Sequence, residues 1–407
     1  MLASPSVSCG PDDDTFEVND SRGDVRLYDW QGNNTVSGSD APGLDTKEFD
    51  QWVWSVEDRG QPRDWGSGLV PIFGTTYTSD LGFFLGGGVR REGYGFRKTP
   101  FSSGINVRGG FSFKRVRGRL EMDGRFHRAN SPVFTTFDLR WSGLDVLNFY
   151  GFGNDSPSTG DEEFYKVDQR AGSFATAIGV GWDSGLELTA GLVATRSNAD
   201  ENADRFFGTV GDSLYGADIF WYGGVSAGLV YDPSVGRESA NRIRLEIQGT
   251  TYPAIFDVTT AFTKVGTTIS TVLSPSVTSR VSLALRAGGV KIWGDNIPWN
   301  DAAYIGGGRT LRGWVENRFA GDAAAYGGAE LRLTVWNPRL VVPVAIGLFG
   351  FADAGRVYED DESPGGWHTG VGGGIYFKPV AQPNMLRAGV AVSDEATRVY
   401  IVVGLPY

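Results

Sequence analysis

Residues 105–127 read INVRGGFSFKRVRGRLEMDGRFH, and this stretch decides the fold. From Ile105 to Phe113 the odd positions are apolar or glycine, whereas the even positions are polar or glycine. After a short turn the parity changes, and Leu120, Met122 and Phe126 alternate with charged residues. Side chains that repeat with a period of two indicate β-strands with one apolar face and one polar face.

The same alternation continues over most of the chain after residue 66. About sixteen such runs, each about 10–13 residues long, suit the tilted strands of a closed transmembrane barrel, which need about 9–11 residues to cross the apolar core. The sequence therefore predicts an all-β fold, a sixteen-stranded antiparallel transmembrane β-barrel over residues 67–407. The runs lie near residues 67–79, 81–94, 103–115, 117–128, 131–143, 164–180, 184–197, 213–231, 240–252, 255–271, 277–292, 326–336, 340–354, 367–378, 385–394 and 397–407.

A soluble β-sandwich or propeller is the alternative fold. Strands of soluble proteins usually have about 5–6 residues, roughly half the length of these runs. The polar faces also carry several charges per strand, which favours a wide water-filled lumen over a dry sandwich core. No stretch of about 18 apolar residues occurs, so a membrane helix is not expected.

Composition excludes several functional classes. The chain has 2 His and 1 Cys, too few for a zinc site or a thiolate–imidazole pair, so we expect no metal, no cofactor and no catalytic residues. The net charge is -11, and residues 1–66 hold 14 acidic against 5 basic residues. No basic patch could follow a phosphate backbone, which argues against nucleic-acid binding. Residues 1–66 are predicted to be an acidic linker or a periplasmic N-terminal segment.

One long segment, residues 293–326, interrupts the strands between the eleventh and twelfth runs. Its triple glycine, residues 306–308, lacks the Lys-Ser/Thr of a phosphate-binding loop and indicates backbone that needs positive φ or close approach. Parity places Glu330 and Asp353 on the lumen faces of neighbouring strands. If the long loop enters the lumen, Arg312 is a natural counter-charge, since one guanidinium can bridge two carboxylates. Ordinary solvated lumen charges are the simpler interpretation.

Three motifs in order resemble one family. They are Leu311-Arg312-Gly313-Trp314, Gly327-Gly328-Ala329-Glu330 and Phe351-Ala352-Asp353-Ala354-Gly355. They are similar to the loop tip (Val-Arg-Gly-Phe/Tyr), the strand-12 pattern (Gly-x-x-Glu) and the strand-13 pattern (Phe-x-Asp-x-Gly) of the outer-membrane protein-assembly and two-partner-secretion transporter superfamily, the bacterial surface antigen family, with its BamA-like barrels. Leu311 and Trp314 depart mildly from the usual tip.

The resemblance implies a bacterial outer-membrane barrel whose tip Arg312 is held inside the lumen by Glu330 and Asp353. It implies membrane insertion or translocation of polypeptides, with the lipid bilayer and an unfolded polypeptide client as partners. A weak seam, or lateral gate, between the first and last strands would part, and Gly404 and Tyr407 belong to that seam. The chain ends in Tyr407 where Phe is commoner, and residues 1–66 show no helical pattern of the POTRA modules that the family carries.

Other functions remain open. The barrel could be a membrane anchor or exporter for a fused passenger domain, because residues 94–98 and 148–154 are similar to barrels that follow enzymes such as metallophosphoesterases. A passive channel would need the lumen charges but not the Arg312 tip. A soluble glycan-handling protein would use the 12 Trp for stacking.

Overall fold

Strands form wherever the two-residue alternation runs, and a barrel follows from their pairing. The computed structural model describes residues 6–8, 12–19, 25–39, 41–48, 65–78, 80–98, 101–158, 161–182, 184–200, 202–234, 241–338, 343–379 and 385–403. Within these residues sixteen strands close into a barrel in which each strand pairs antiparallel with its neighbours in the chain. The predicted fold class is confirmed.

The barrel strands agree with the sequence runs to within a few residues, with two exceptions. Runs 213–231 and 255–271 begin late, at Phe220 and Phe262, because a 3₁₀ turn at Gly211–Ser213 and a loop with Phe256 at φ 56° precede them. The strands are β6 (Ser67–Thr78), β7 (Gly82–Gly93), β8 (Ser103–Ser112), β9 (Arg117–His127), β10 (Val133–Ser142), β11 (Gln169–Gly181), β12 (Leu186–Ala199), β13 (Phe220–Tyr231), β14 (Arg242–Tyr252), β15 (Phe262–Leu273), β16 (Val281–Trp293), β19 (Ala323–Trp336), β20 (Val344–Tyr358), β21 (His368–Pro379), β22 (Leu386–Val392) and β23 (Thr397–Val403).

The outer face of the barrel is apolar, as contact with lipid requires. On β19, Leu331, Leu333 and Val335 point outward and are exposed, whereas Glu330 and Arg332 point inward and are buried. Tryptophans mark both rims, where aromatic side chains anchor barrels at the two membrane interfaces. Exposed tryptophans at the rim with the long loops are Trp141, Trp221, Trp293 and Trp367, and those at the other rim are Trp65, Trp182 and Trp336.

The long loops all leave the same rim. They span residues 143–168, 200–219 and 294–322, and they carry a short helix α1 (Phe206–Val210), a 3₁₀ turn at Trp299–Asp301 and the paired strands β17 (Ala303–Ile305) and β18 (Phe319–Gly321). Buried aromatic side chains of these loops, among them Phe149, Phe207 and Trp299, pack together at this end. The lumen here is filled by loops, which the charge pattern of the strands did not indicate. No helix in the described part of the chain is long and apolar enough to cross a bilayer.

The N-terminal segment is more regular than its composition suggested. It contains β1 (Ser6–Ser8), β2 (Thr15–Glu17), β3 (Arg26–Tyr28), β4 (Thr35–Ser37) and β5 (Leu44–Asp45), paired in parallel as β1-β3-β5 and β2-β4. Strands β2 and β4 are offset by 20 residues, as are side-chain bonds from Asn33 N–H to Asp13 (2.7 Å) and from Asp14 N–H to Asn34 (2.8 Å). These residues form stacked coils of a short parallel β-solenoid.

The solenoid contacts the rim opposite the long loops. Arg97, in the turn between β7 and β8, lies over the rings of Tyr28 (4.8 Å) and Trp30 (5.3 Å). Asn130, in the turn between β9 and β10, donates to Asp45. Cation–π contacts with partly desolvated aromatic rings stabilise such an interface.

Candidate functional site

The tip of the longest loop, residues 311–314, is buried against the inner wall of the barrel. Leu311 is fully buried, and Trp314 is 4% exposed and donates its indole N–H to the Thr369 carbonyl (2.9 Å). Gly313 has φ +98°, and a Cβ there would lie 3.1 Å from the Val392 backbone. Glycine is therefore required at the point where the tip turns beside β22.

Arg312 is the centre of the site. Its Nε donates to Asp353 Oδ2 (2.7 Å), its Nη2 to Asp353 Oδ1 (2.8 Å) and its Nη1 to Glu330 Oε2 (2.5 Å). The guanidinium carbon lies 3.6 Å from the centroid of the Phe351 ring. A planar fork that bonds one carboxylate in bidentate fashion and stacks on an aromatic face uses the properties that distinguish arginine from lysine.

Two neighbouring strands position the acids. Glu330 on β19 lies opposite Phe351 on β20, and Gly328 lies opposite Asp353. A Cβ at Gly328 would lie 2.2 Å from Asp353 Oδ1, so a small residue there gives the carboxylate its space. Gly355 lies two residues further along β20, where a Cβ would lie 3.0 Å from Ile305 in the loop. The structure thus brings together the three motifs that the sequence analysis singled out.

Two further arginines contact Glu330. Arg332 Nε donates to Glu330 Oε1 (2.7 Å), and Arg387 Nη1 lies 3.3 Å from the same oxygen. Three guanidinium groups therefore surround two carboxylates, and all five side chains are buried. Parity had placed Arg332 in the lumen, but Arg387 was missed. The alternation of β22, where Leu386, Val390 and Val392 are exposed, would have indicated that Arg387 faces inward.

The remaining seam residues of the sequence prediction, Gly404 and Tyr407, lie outside the described residues. Among the described residues, no group of three or more His, Cys, Asp or Glu side chains could bind a metal ion. The ion pairs of Arg312, Arg332 and Arg387 with the two acids make the site an ion-pair network that fixes a loop, with charge-assisted hydrogen bonds between desolvated groups.

The comparisons with known proteins agree with the barrel fold. Residues 159–390 match a family profile described as the Omp85 superfamily domain. Among solved structures, BamA from Haemophilus ducreyi lacking POTRA domains 1–3 is similar with a TM-score of 0.59 and 13% identity, over 84% of this chain and 70% of that chain.

Two structures of CdiB are similar as well. CdiB from Escherichia coli has a TM-score of 0.55 and 13% identity over 82% of this chain, and CdiB from Acinetobacter baumannii has 0.53 and 12% over 83%. The matches cover 62% and 59% of those two chains. At these identities the likeness is one of fold. No curated protein matches the sequence.

Proposed function

The chain belongs to the Omp85 superfamily, and from this premise we propose that its barrel inserts polypeptides into the bacterial outer membrane or passes them across it. The observation that carries the proposal is the buried Arg312 bonded to Glu330 and Asp353. A buried ion pair is costly to assemble, and a pore that only admits small solutes has no use for a loop fixed in this way.

The pairing of the first and last barrel strands supports a route through the wall. Within the described residues, β6 and β23 pair at Thr76–Thr78 and Tyr400–Val402, whereas β6 pairs with β7 over its whole length. We call this short pairing the seam. Loss of a short ladder costs less than loss of a long one, so the seam is the place where a client strand can enter or where the wall can part.

The domain arrangement is part of the proposal. Residues 67–407 form the membrane barrel, and residues 1–66 form a periplasmic segment that contacts the turns at the rim opposite the long loops. Bacterial barrels have short periplasmic turns and longer extracellular loops, which supports this orientation. The partners are the lipid bilayer and an unfolded polypeptide client.

A second candidate is a membrane anchor for a passenger domain. The contact of Arg97 with Tyr28 and Trp30 favours it, because a solenoid fixed on the rim is a rigid connection to whatever precedes the barrel. In that role the barrel has no insertase activity of its own.

Reconstitution tests both candidates. The full chain is placed in liposomes with a urea-unfolded eight-stranded outer-membrane barrel as client, and folding of the client is followed by its heat-modifiable migration. We expect faster folding than in empty liposomes, reduced by Arg312→Ala and retained in Arg108→Gln, a change of a distant lumen charge. Folding no faster than in empty liposomes contradicts an insertase and leaves the anchor.

A further inference from the structure

The tip contacts the last barrel strand. The Gly313 carbonyl accepts a hydrogen bond from Ser393 Oγ (2.9 Å) and another from Arg398 Nε (3.2 Å). Arg398 lies on β23 two residues before Tyr400, the first residue of the seam, and is 9% exposed. A charge-assisted bond to a buried carbonyl is among the stronger hydrogen bonds in proteins, so it fixes β23 to the tip.

Three residues later the same loop contacts the turn that follows the first barrel strand. Glu316 N–H donates to Asp80 Oδ2 (2.8 Å), and Asp80 follows Thr78, the last seam residue of β6, by two positions. Asp80 is 8% exposed, and Arg115 Nε donates to its carbonyl (3.1 Å), which fixes the turn after β6. The loop is thus bonded on both sides of the seam.

The long loop after β10 also bonds to Arg398 and to Glu316. Arg398 Nη2 donates to Glu162 (2.6 Å), and Asn148 donates its side-chain N–H to the Glu316 carbonyl (2.8 Å). On the lumen side this part of the loop borders a cavity of ≈ 420 Å³ whose lining includes Arg309 and Tyr400. Trp314 and Val315 are also buried in apolar clusters, so close packing and these hydrogen bonds together keep the loop against the seam.

We propose that residues 313–316 form a clasp that keeps the seam closed, with Arg398 and Asp80 as its two attachment points. The three seam pairs among the described residues would then be supplemented by bonds through the loop, and withdrawal of the tip would weaken the seam. The role of this coupling in client passage rests on the proposed function, whereas the clasp itself is a property of the barrel. Arg398 and Asp80 are positioning residues in this scheme.

Hydrogen exchange of the full-length protein in detergent tests the clasp without any client. Arg398→Met keeps the length of the side chain and removes its donors, and Asp80→Ala removes the acceptor. We expect each change to lower the protection of peptides covering 67–78 and 397–403 by about tenfold, the effect of one charge-assisted bond, while peptides of β14 and β15 stay unchanged. Arg108→Met, on β8 away from the seam, is the matched control.

A disulfide across the seam separates a local effect from misfolding. Tyr77 and Ile401 are cross-strand partners on the lipid-facing side, at a separation that a disulfide can bridge, and the pair Tyr77→Cys/Ile401→Cys is made in a Cys9→Ser background. Val281→Cys/Leu333→Cys, on neighbouring strands far from the seam, is the control pair. Oxidation of the seam pair should restore protection in Arg398→Met, and oxidation of the control pair should not.

The outcomes are distinct from those of the insertion assay. Unchanged seam protection in both Arg398→Met and Asp80→Ala overturns the clasp, whether or not the barrel folds clients. Equal loss of protection in all sixteen strands also overturns it, because the residues would then support the whole barrel. Loss of protection at the seam in a barrel that does not accelerate client folding supports the clasp and contradicts the proposed function.

Discussion

Arg312 and Asp353 are joined by three hydrogen bonds, two from the guanidinium and one from the Arg312 backbone N–H (3.1 Å). The carboxylate therefore binds the side chain and the main chain of the same residue. A side-chain bond alone would allow the tip to slide, whereas the added backbone bond fixes its position along β20. Removal of either residue should release the same loop.

Replacement of Arg312 by alanine is expected to destabilise the folded loop strongly. It leaves Glu330 and Asp353 facing one another without their shared counter-charge, and breaking a buried ion pair costs about 3–5 kcal/mol, less where water enters the lumen. Arg332 and Arg387 still neutralise Glu330, so Asp353 is the acid most affected. Protease accessibility of residues 305–318 measures the effect.

Lysine and the double mutant serve as controls for this prediction. Arg312→Lys should rescue only in part, because an ammonium cannot make the bidentate contact with Asp353. Arg312→Ala and Asp353→Ala should be non-additive, whereas Arg108→Ala should add independently to either. If the effect of the double mutant on protease accessibility equals the sum of the two single effects, the two residues do not hold the same loop.

Acidic pH should tighten the contact between the loop and the turn after β6. Burial raises the pKa of Glu316 to about 7, and neighbouring Asp80 adds to this, while Arg309, Arg119 and the Gly308 N–H oppose it. Burial raises the pKa of Asp80 as well. The folded protein thus holds protons that the unfolded chain releases, so the contribution to stability is fully present below about pH 4.5 and is lost as the pH rises through about 7.

Seam protection at pH 5.5 and pH 8 checks the pH dependence. We expect more protection of peptides 67–78 at pH 5.5, and a smaller difference in Glu316→Gln, whose side chain does not ionise. Greater protection at pH 8 in the unchanged protein would reverse the assigned sign.

Replacement of Arg97 should release the N-terminal solenoid from the rim. The guanidinium packs over Tyr28 and Trp30 and is 6% exposed, so Arg97→Ala removes the centre of the contact, worth about 1–2 kcal/mol for a desolvated cation–π pair. Limited proteolysis between residues 45 and 67 should become faster. Arg128→Ala, at an exposed residue of the same rim, should leave the cleavage rate unchanged.

The protein should require detergent or lipid to remain monodisperse and should migrate differently on gels before and after heating. The reason is the outward apolar face, with Leu331, Leu348 and Ile178 among its exposed residues. Light scattering and unheated gels provide the measurement. A monodisperse protein refolded without amphiphile would argue for the soluble alternative.

Labelling of intact cells should identify the extracellular rim. Ser158 lies in the long loop after β10 and Ser184 in the short turn after β11, and both are exposed. In a Cys9→Ser background, Ser158→Cys should react with a membrane-impermeant maleimide and Ser184→Cys should be protected. The opposite pattern would invert the proposed orientation.

Alternation along single strands made the barrel predictable, because the lipid and the lumen impose opposite polarity on successive side chains. The same rule placed Glu330, Arg332 and Asp353 inside. The resemblance implied that Arg312 is the partner of the two acids. The same rule applies to Arg387, which follows the exposed Leu386 on β22. The 20-residue repeat of Asp13-Asp14-Thr15 and Asn33-Asn34-Thr35 is also visible in the sequence, although acidic composition obscured it.

Alternation along a strand does not predict the hydrogen bonds that fix the loops. Leu147 N–H donates to Asn317 (3.0 Å) and Glu316 N–H to Asp80, across 170 and 236 residues of chain. Local periodicity does not indicate which loops contact one another, since those contacts form only when the strands close into a ring. The attachment of the tip to Arg398 on the last strand is of the same kind.

The aromatic packing of the long loops bears on how many copies of this protein a cell can carry. Phe149, Phe207 and Trp299 pack together at the end of the barrel that carries the long loops. An open sixteen-stranded ring would make every added copy a leak in the permeability barrier. Packing of these side chains at one end of the ring narrows the path that such a leak would take.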